Sequence, residues 1–596
     1  MRIAALVKQI PQFEAMTLGV DGRLVREGLE LEMNAYCRRA VAEAVELVRE
    51  HGGEMVVFTL GPPSADDVLR EAIAWADEHG LTPEQARGVH VCDTAFAGSD
   101  TLATARALRA ALAHEGDFDL VLCGRNSVDA DTGQVGPELA ELLDMAFITN
   151  ARHLTVEPAG GGAVHARSEA DDGFAQLRTT MPAVVSCAER LIDPCKVDPD
   201  RRARVEPDRV VRLAAGALGP GPWGADGSPT SVGRVRVLEH ARAQLCTPEL
   251  PVAEQVAQAV ALLRERGAFT APTEPELPVV PGPHGLWGPA VVVVVEPDRA
   301  SLTAELLSAA AEIAEQIEGH VVAFGTGGAD VDDLGARGAD RVVIHDARVE
   351  ERVAHALRDW SIEHDPWAVL SPSTTWGREV TARAAAQLGA GLTGDAVELE
   401  VAADGRLVAW KPAFGGALVA AIRCASAVQM VTVRAGMLAA LAPRAFRPES
   451  TAVHHYDQSR VEVLARARDD DLDVLADAET VLAVGQGVDP ARYDELEPLR
   501  RALHAQIGAT RKVTDKGWLP RARQIGITGR SVSPRLLVSI GAGGKFNHSV
   551  GFRNAAHVLA INPEPKAPIF GFADVGIVAK WDEAIPLLVD AIDELS

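Results

Sequence analysis

Short apolar strands alternate with amphipathic helices along most of this chain, and this alternation restricts the fold more than any other feature. It runs through the first 190 residues, for example from a strand at Ile3–Val7 through a helix at Ala35–His51 to a strand at Met55–Leu60. It restarts with strands at Val291–Val295 and Thr480–Val484. Alternation of strands and helices with short turns is typical of parallel sheets built from βαβ units. The sequence therefore predicts an α/β fold.

The chain is too long for a single core. It has 596 residues, whereas single cores stop growing at about 250–300 residues. Segments rich in Gly, Pro and Ser interrupt the alternation at 214–233 and 271–285, and such composition is typical of linkers. A further change of composition at 443–471 brings the pair His454-His455 and the start of an acidic run. We predict three α/β domains, at 1–213, 288–442 and 479–596. The segments 214–287 and 443–478 between them are predicted to be linkers, the first with a helix at Val252–Arg266.

The first two domains look like distant copies of each other. Residues 119–143 match residues 367–389, because in each a strand is followed by a loop with hydroxyl residues, a glycine and a helix with small residues. Residues 181–187 likewise parallel residues 427–436. Internal similarity of this kind indicates a repeated unit. We therefore predict two pseudo-symmetric Rossmann-like parallel-sheet domains and a third, C-terminal domain of the flavodoxin-like, doubly wound type.

Charge and composition exclude several classes of function. The formal net charge of −26 argues against nucleic-acid binding, which requires basic patches. The apolar run Ala290–Val295 is far shorter than the roughly 20 residues of a membrane span, and the first ten residues are typical of a strand, not of a secretory signal. Seven cysteines without a Cys-x-x-Cys pair favour reduced thiols in a bacterial cytoplasm. No metal site is predicted, because the pair His454-His455 lacks a third ligand.

Glycine-rich turns surround one strand of the third domain. The segment 523–552 contains the turn Gly526–Gly529, a strand near Leu536–Ile540 and the turn Gly541–Gly544, which leads into Lys545–His548. A strand that enters a glycine turn and then a helix presents free backbone amides that bind pyrophosphate, and glycine permits its close approach. The alternative is a plain tight turn. Two such turns around one strand favour the nucleotide site.

Long motifs in all three domains resemble the electron transfer flavoprotein family. The third domain is similar to the FAD domain of the alpha subunit at 508–520, 524–544 and 558–578, and the second is similar to the remainder of that subunit at 374–401, 411–422 and 431–438. The first 270 residues resemble the beta subunit at 7–12, 31–47, 127–143 and 181–185. The resemblance implies a beta and an alpha subunit fused in one chain, with the beta-like half first and an FAD-binding domain at the C-terminus.

The resemblance also implies which residues hold FAD. Thr510, Arg511 and Thr528 are expected beside the isoalloxazine, the last of them near N5 or O4, and His548 near O2. A cation and a hydrogen-bond donor beside the pyrimidine ring favour electron uptake, because reduction puts negative charge there. The phosphates are expected at the second glycine turn and the adenosine at Asn562. The full expected set is Gln486, Thr510, Arg511, Gly526, Ile527, Thr528, Gly529, Gly543, Gly544, Lys545, Phe546, Asn547, His548 and Asn562.

Four of these positions depart from the family pattern: Gln486, and Gly544, Lys545 and Phe546, where the family usually has Ser, Ala and Ile. Gln486 stands between two glycines where the family usually has an arginine. Without that cation, negative charge on the flavin is expected to be less stable. Lys545 is an added cation in the second turn, and we expect it to replace part of the missing charge. FAD binding is still expected despite these changes, but the reduction potential of the flavin is left open.

Beta subunits of the family have a nucleotide site of their own, which holds AMP in simple carriers and a second FAD in electron-bifurcating members. A hydroxyl and consecutive amides that open a helix suit a phosphate. The alternative is a helix N-terminus with nothing bound. The resemblance leaves AMP and FAD equally open. The matching residues are Leu6, Asn34, Ala35, Tyr36, Cys37, Asp129, Asp131, Thr132, Gly133, Gln134, Val135 and Gly136.

The resemblance implies an electron carrier. Its FAD is expected to take electrons from a partner dehydrogenase, dependent on flavin or another redox cofactor, and to pass them to a quinone- or ferredoxin-linked acceptor. This favours a redox carrier over an enzyme with a substrate of its own. Two alternatives remain: an NADH-oxidising electron-bifurcating flavoprotein with two FADs, and a non-redox protein that binds adenine nucleotides. The Pro/Gly segments near 214–230 and 443–460 are expected to let the FAD domain swing between partners.

Three further predictions concern contacts between domains and with partners. The loop 190–205 stands where beta subunits of the family present an apolar anchor to their dehydrogenase, so Leu191 or Ile192 is predicted to be that anchor. Arg378 and Arg383 are predicted to form ion pairs between domains, with a position facing the flavin cleft as the alternative for Arg378. Asp395 is predicted to cap a helix or to form a turn.

Overall fold

The computed structural model contains three α/β units that meet around a common cleft. It describes residues 1–11, 17–18, 24–25, 29–158, 161–237, 242–269, 277–282, 287–413, 418–454, 458–468, 473–476, 478–526 and 529–595. Ile527, Thr528 and His455, which the sequence analysis singled out, lie outside the described residues.

The first unit and the segment that follows it supply fifteen strands and seven α-helices within the described residues. The strands are β1 (Arg2–Leu6), β2 (Gln9–Pro11), β3 (Thr17–Leu18), β4 (Leu24–Val25), β5 (Leu31–Met33), β6 (Glu54–Leu60), β7 (Ala86–Val91), β8 (Leu120–Gly124), β9 (Ala146–Glu157), β10 (Ala163–Glu169), β11 (Gly173–Thr180), β12 (Ala183–Cys187), β13 (Val210–Leu213), β14 (Thr230–Val237) and β15 (Leu245–Cys246). The helices are α1 (Cys37–His51), α2 (Asp66–Glu78), α3 (Thr101–Glu115), α4 (Val135–Leu143), α5 (Pro199–Arg202), α6 (Ala215–Leu218) and α7 (Val252–Glu265).

The second and third units continue the alternation. The second contains β16 (Ala290–Val294), α8 (Ala300–Gln316), β17 (His320–Thr326), α9 (Val331–Arg337), β18 (Arg341–His345), α10 (Glu350–His364), β19 (Ala368–Pro372), α11 (Thr375–Leu388), β20 (Gly391–Ala396), β21 (Glu398–Val401), β22 (Leu407–Ala413), β23 (Leu418–Cys424), β24 (Gln429–Val433), β25 (Glu449–Val453), β26 (Glu462–Arg468) and α12 (Asp473–Ala476). The third contains β27 (Thr480–Val484), α13 (Glu497–Ala502), β28 (Gln506–Ala509), α14 (Arg511–Asp515), β29 (Leu536–Ile540), α15 (Phe546–Ser549), β30 (His557–Ile561), β31 (Val575–Ile577) and α16 (Trp581–Asp593).

The sheets of the first two units share one topology. The first has the order β13-β7-β6-β1-β8-β12-β9, and the second has the order β25-β18-β17-β16-β19-β24-β20. Position by position, β1 corresponds to β16, β8 to β19 and β12 to β24. The strands are buried on both faces, as in Ala290–Val294, because helices cover both sides of a parallel sheet. The predicted pseudo-symmetry of the two domains is confirmed.

Each of these units extends into an antiparallel arm that receives a strand from elsewhere in the chain. In the first, β9 continues through β10 and β11 to β26, which comes from residues 462–468. In the second, β21, β22 and β23 continue to β14, which comes from residues 230–237. Both exchanged strands lie in segments that were expected to be linkers, and β25 of the second linker also pairs with β18. The apolar runs in these strands are too short to be recognised from the sequence pattern. They become strands here because their backbones pair with strands of another unit.

The third unit has the strand order β15-β31-β30-β29-β27-β28. Without β15 this is the doubly wound order of flavodoxin-like folds, in which the chain reverses direction between β27 and β29. The edge strand β15 and helix α7 come from the segment 214–287 and not from the C-terminal part. Val256, Ala259 and Leu263 of α7 are buried in the core of the third unit. The expected tail helix therefore belongs structurally to the third unit.

Among the described residues, no helix combines the length and apolar character that crossing a membrane requires.

Candidate functional site at the junction of the three units

The predicted FAD residues lie in loops that leave the carboxyl ends of four neighbouring strands. Residues 485–487 follow β27, Thr510 follows β28, residues 541–548 follow β29 and Asn562 follows β30. In doubly wound sheets, ligands bind at this edge, where the strand order reverses. The sheet therefore brings together predicted residues that are up to 76 positions apart in the chain, from Gln486 to Asn562.

The two glycine turns at this edge pack directly against each other. Gly487 donates its backbone N–H to the Gly541 carbonyl at 3.0 Å, and a Cβ on Gly485 would lie 2.3 Å from that oxygen. Gly544 has φ +74° and approaches Ile569 so closely that a Cβ would lie 2.1 Å from its backbone nitrogen. Gly543 faces open space, with no atom within 4 Å of an added Cβ. The turn thus has one face locked by packing and one face open.

The helix that was expected after the second turn is a single short turn, α15, of four residues. So short a helix has little macrodipole, since the effect comes from aligned peptide units. The glycine turn therefore offers backbone amides and the nearby Lys545, and not a long helix N-terminus, to an anion. The structure shows the backbone of Phe546 and Asn547 in this turn.

His548 is buried beneath the first glycine turn. Its exposed fraction is 7%, and its Nδ1 lies 2.9 Å from the Ile525 carbonyl oxygen, so Nδ1–H donates to that carbonyl. Nε2 is buried and has no hydrogen-bond partner among the described residues. Burial lowers the pKa of the imidazole to about 4, so the ring is neutral at pH 7 and Nε2 is an unused acceptor.

The remaining predicted FAD residues differ in how much of their side chains is free. Gln486 is exposed at the tip of its turn. Asn562 is already engaged, because its Nδ2 donates to the Ala542 carbonyl at 2.9 Å and its Oδ1 accepts from the Glu564 N–H at 2.9 Å. It therefore ties its loop to the second glycine turn. Gly526 and Gly529 close the first turn, in which the Gly529 N–H donates to the Gly526 carbonyl at 3.0 Å.

Arginines join the third unit to the first. Arg511 makes an ion pair with Glu189 at 2.9 Å, and Arg521 makes one with Glu169 at 3.3 Å. From the other side, Arg190 donates to the Thr514 carbonyl at 3.2 Å. Arg511, which was expected beside the isoalloxazine, thus also contacts the first unit. The edge of the third sheet is docked against the first unit by charge-assisted contacts.

A cavity of about 160 Å³ lies where the three units meet. Asp395 is buried in its wall and is held by Arg378 and Arg434, each at 2.6 Å. Burial raises the pKa of the Asp395 carboxyl, but the two guanidiniums outweigh burial and hold it well below its usual range. The prediction that Asp395 caps a helix or turn is wrong, since Asp395 lies inside strand β20, where the pairing with β24 shifts register. Its charge neutralises two half-buried arginines. The lining also includes Arg125, Asp131, Gly526, Gly529, Arg530 and Ser531.

The predicted residues of the second nucleotide site surround a loop at the carboxyl edge of the first sheet. The Asn34 side chain is fully buried, donates to the Asn126 carbonyl at 2.8 Å and accepts from the Val128 N–H at 3.1 Å. Lys8, just after β1, pairs with Asp129 at 2.8 Å. Leu6 ends β1, Ala35, Tyr36 and Cys37 open α1, and Thr132, Gly133, Gln134, Val135 and Gly136 lead into α4.

The loop is also bound to the second unit. Asp131 has φ 46° and lies 3.9 Å from Arg434. A Cβ on Gly394 of β20 would lie 3.0 Å from Gln134 Nε2. This Nε2 is buried without a hydrogen-bond partner among the described residues, whereas Oε1 accepts from the Thr101 hydroxyl at 2.9 Å. The arm of the second unit therefore covers this crevice and leaves an amide available.

The loop after β12 does not present the predicted anchor. Leu191 and Ile192 are half-buried and pack against the core of the first unit. The loop is pinned by Arg38, which donates to the Cys195 carbonyl at 3.0 Å, and by Arg202, which donates to the Val197 carbonyl at 3.0 Å. The prediction of an exposed apolar anchor at Leu191 or Ile192 is wrong.

Comparison with known proteins gives a family for this arrangement. The model of the electron transfer flavoprotein domain matches residues 21–210 and 291–458, and the model of the electron transfer flavoprotein FAD-binding domain matches residues 474–553. The chain belongs to the electron transfer flavoprotein family. The first model matches twice, once in each pseudo-symmetric unit.

Curated relatives of the flavoprotein fall into both subunit types. The chain is 34% identical to the electron transfer flavoprotein subunit alpha of Thermoanaerobacterium thermosaccharolyticum over 279 residues, which are 44% of this chain and 83% of the relative. It is 35% identical to subunit beta of the same organism over 196 residues, 33% of this chain and 70% of the relative. It is 32% identical to the lactate dehydrogenase (NAD(+),ferredoxin) subunit LctC of Acetobacterium woodii over 309 residues, 49% of this chain and 73% of the relative. Similarity to both subunits in one chain agrees with a beta/alpha fusion.

The residues of the third unit fit the flavin cofactor of this family. The open face at Gly543 has room beside the backbone, and the buried His548 Nε2 lacks a partner among the described residues. A buried polar atom without a partner is costly in a folded protein, so a ligand that hydrogen-bonds to it would remove that cost. Backbone amides, an imidazole and nearby guanidiniums are the donor and acceptor types that a dinucleotide with a flavin ring requires.

Sequence reasoning missed Arg125 and Arg434 at the central cavity and gave Asp395 a different role. These residues come from separate strands or loops of two units, and single charged residues carry no periodic pattern. The one available signal is position, because Arg125 and Arg434 each directly follow a strand. The predicted ion pair between units is confirmed for Arg383, which contacts Glu141.

Proposed function

We propose that this flavoprotein is a single-chain electron carrier that binds FAD at the carboxyl edge of the third sheet, facing the first unit. The observation that supports this most strongly is the buried Nε2 of His548, which lies next to the first glycine turn and has no hydrogen-bond partner among the described residues. FAD supplies the chemistry by accepting electrons and releasing them.

The protein's own residues are proposed to bind and position the cofactor. The open face at Gly543 would receive the phosphates, and Lys545 would contribute positive charge. His548 Nε2 is an acceptor while the ring is neutral, and protonation would make it a cationic donor beside the flavin pyrimidine. Thr510 and Arg511 would flank the ring from the loop after β28. The proposed partners in the family role are a dehydrogenase that delivers electrons and a quinone- or ferredoxin-linked acceptor.

The first unit is proposed to bind a second adenine nucleotide, AMP or FAD, in the crevice between Asn34 and the loop at 125–134. The buried Gln134 Nε2 is an amide donor without a partner among the described residues. Lys8 supplies a cation next to the loop, and its side chain is 43% exposed. These groups are suitable for a base edge and a phosphate, respectively.

The test is to purify the full chain, release its nucleotides by denaturation, and quantify FAD and AMP per chain. One FAD with one AMP supports the simple carrier. Two FADs, together with bleaching of the flavin absorbance by NADH, support the bifurcating alternative, which the similarity to a lactate dehydrogenase (NAD(+),ferredoxin) subunit favours. A colourless chain that holds AMP and takes up no FAD would contradict both.

A further inference from the structure

A buried acid of the first unit has no role in the cofactor binding described above. Glu138 lies in the first turn of α4 and is 1% exposed. Its Oε2 is buried and has no hydrogen-bond partner among the described residues. A buried carboxylate is normally paired with a cation or holds several hydrogen bonds. An ionised Glu138 would hold a single hydrogen bond, from Thr101 to its Oε1.

The Thr101 hydroxyl joins this acid to the loop of the proposed second nucleotide site. Thr101 Oγ1 lies 3.0 Å from Glu138 Oε1 and 2.9 Å from Gln134 Oε1. An ionised carboxylate and an amide oxygen are both acceptors, whereas a hydroxyl has one hydrogen to donate. Both contacts are hydrogen bonds only when Glu138 is protonated, because its O–H then donates to Thr101 and Thr101 donates to Gln134.

The surroundings of Glu138 favour the protonated form. Burial is the largest effect, and the Asp100 carboxylate of α3 adds to it, whereas Arg106 of α3 acts in the opposite direction. Together they raise the pKa of Glu138 to about 8. Asp100 is fixed in place, because it caps α3 and accepts from the Thr230 N–H at 2.9 Å.

The other elements around α4 add no further charge that acts on Glu138 among the described residues. Besides α3, the packed elements are α11, β9 and β12. The charged residues of β9 begin at Arg152, five residues beyond Phe147, whose ring an added Cβ on Gly136 would meet at 3.1 Å. The thiols of Cys123 and Cys187 stay neutral, because burial raises their pKa values. The remaining charged groups form ion pairs, namely Glu141 with Arg383, Glu379 with Arg383 at 3.1 Å, and Arg378 with Asp395 of β20 at 2.6 Å.

The proton on Glu138 decides which end of the Gln134 amide is directed at the second unit. With Glu138 protonated, Gln134 Oε1 accepts from Thr101, and Nε2 is directed at Gly394, where an added Cβ would lie 3.0 Å from it. With Glu138 ionised, the Thr101 hydroxyl donates to the carboxylate. Only a turned amide, with Nε2 at Thr101, then keeps both hydrogen bonds. The amide therefore presents a donor to the covered crevice in one state and an acceptor in the other.

We propose that Glu138 is a neutral acid that positions Gln134, through Thr101, as a hydrogen-bond donor to the second nucleotide. This inference rests on the proposed second nucleotide site, over which β20 closes at Gly394. An amide donor matches the acceptor atoms of an adenine nucleotide, such as its ring nitrogens. Loss of the Glu138 proton replaces this donor with an acceptor, so nucleotide binding is coupled to protonation of a positioning residue.

Calorimetric titration of the dialysed, FAD-loaded full chain with AMP at pH 6.5 and pH 9.5 tests the coupling. The affinity of the wild type is expected to fall at least tenfold between these values, because few chains keep the Glu138 proton at pH 9.5. Glu138→Gln should lack this fall, since its amide donates to Thr101 at either pH. Thr101→Val should also lack it, whereas Thr101→Ser, which retains the hydroxyl, should keep it.

The matched control is Glu43→Gln. Glu43 is another buried acid of the first unit, on α1, and burial raises its pKa to about 7. This variant should show the same fall in affinity as the wild type. Titration of the AMP phosphate occurs in every protein of the set, so it cancels when the variants are compared.

Infrared difference spectroscopy at neutral pH tests the proton without any nucleotide. A protonated carboxylic acid has a C=O stretching band that an ionised carboxylate lacks. Glu138→Gln should lose one such band of the wild type. Thr101→Val should shift it, because the acid loses the acceptor of its hydrogen bond.

Two results would overturn the proposal: no loss of a band in Glu138→Gln, or a fall in affinity that is equal in this variant and the wild type. A chain that shows the band and its shift but binds no AMP at either pH would contradict the second nucleotide site, and the infrared result would still establish the proton on Glu138 and its bond to Thr101. If Glu138→Gln fails to fold, the comparison of Thr101→Val with Thr101→Ser decides alone.

Discussion

Arg434 of the second unit donates a hydrogen bond from Nη1 to the Ser531 hydroxyl of the third unit at 3.2 Å. The same guanidinium holds Asp395 at 2.6 Å and lies 3.9 Å from Asp131 of the first unit. One side chain therefore contacts all three units, between the loop of the proposed second nucleotide site and the edge of the proposed FAD site.

We predict that Ser531→Ala loosens the docking of the third unit without disturbing the Arg434–Asp395 pair. The variant loses one charge-assisted hydrogen bond, worth about 1.5–3 kcal/mol. Amides at 529–533 should therefore exchange hydrogen severalfold faster than in the wild type, as measured by mass spectrometry. Ser450→Ala, on the exposed part of β25, is the control. Unchanged exchange at 529–533 would show that this contact does not hold the units together.

Gly544, one of the left-handed glycines of the second turn, is predicted to be essential for cofactor binding. In Gly544→Ala the new Cβ would lie 2.1 Å from the Ile569 nitrogen, at a φ of +74°, so the turn must shift. We expect FAD content to fall at least tenfold while the circular dichroism of the fold is retained. Gly571→Ala, where an added Cβ meets nothing within 4 Å, should keep its FAD. Equal FAD content in both variants would contradict the proposed cofactor site.

Replacement of the buried Arg383 is predicted to be strongly destabilising. Its side chain is fully buried and pairs with Glu141, with Glu379 at 3.1 Å and with Glu351 at 3.7 Å. Arg383→Met leaves these carboxylates without their shared cation, which costs about 3–5 kcal/mol. Urea unfolding monitored by tryptophan fluorescence measures this loss. Arg501→Met, with a side chain that is 76% exposed, should change the free energy of unfolding by less than about 1 kcal/mol. Similar losses in the two variants would show that the buried network is not structural.

His548 is predicted to make the FAD-free protein sensitive to acid. Burial lowers its pKa from 6.5 to about 4, so between these values the unfolded chain binds a proton that the folded chain does not. Stability therefore falls as the pH drops from 6.5 to 4, by up to about 3 kcal/mol. His548→Gln should lack this component when unfolding is measured across that range. Parallel pH profiles for the two proteins would contradict the neutral, buried imidazole.

The sequence predicted the architecture well where periodicity carries the information. Strands such as β12 and β27 and the shared order of two sheets follow from apolar runs and from the repeat at 119–143 and 367–389. The exchanged strands β14 and β26 could not be predicted, because their pairing depends on partners about 180 and 290 residues away in the chain. For the same reason the pattern around Asp395 suggested a turn, whereas the folded chain surrounds it with Arg378 and Arg434.

The central claim is that the third unit holds FAD through its glycine turns and places the flavin against the first unit. Titration of the cofactor-stripped full chain with FAD, followed by flavin fluorescence, tests it most directly. The account predicts saturable binding with at least one FAD per chain in the wild type and loss of that site in Gly544→Ala. Failure of the stripped and refolded wild type to bind FAD, or identical binding by Gly544→Ala, would contradict it.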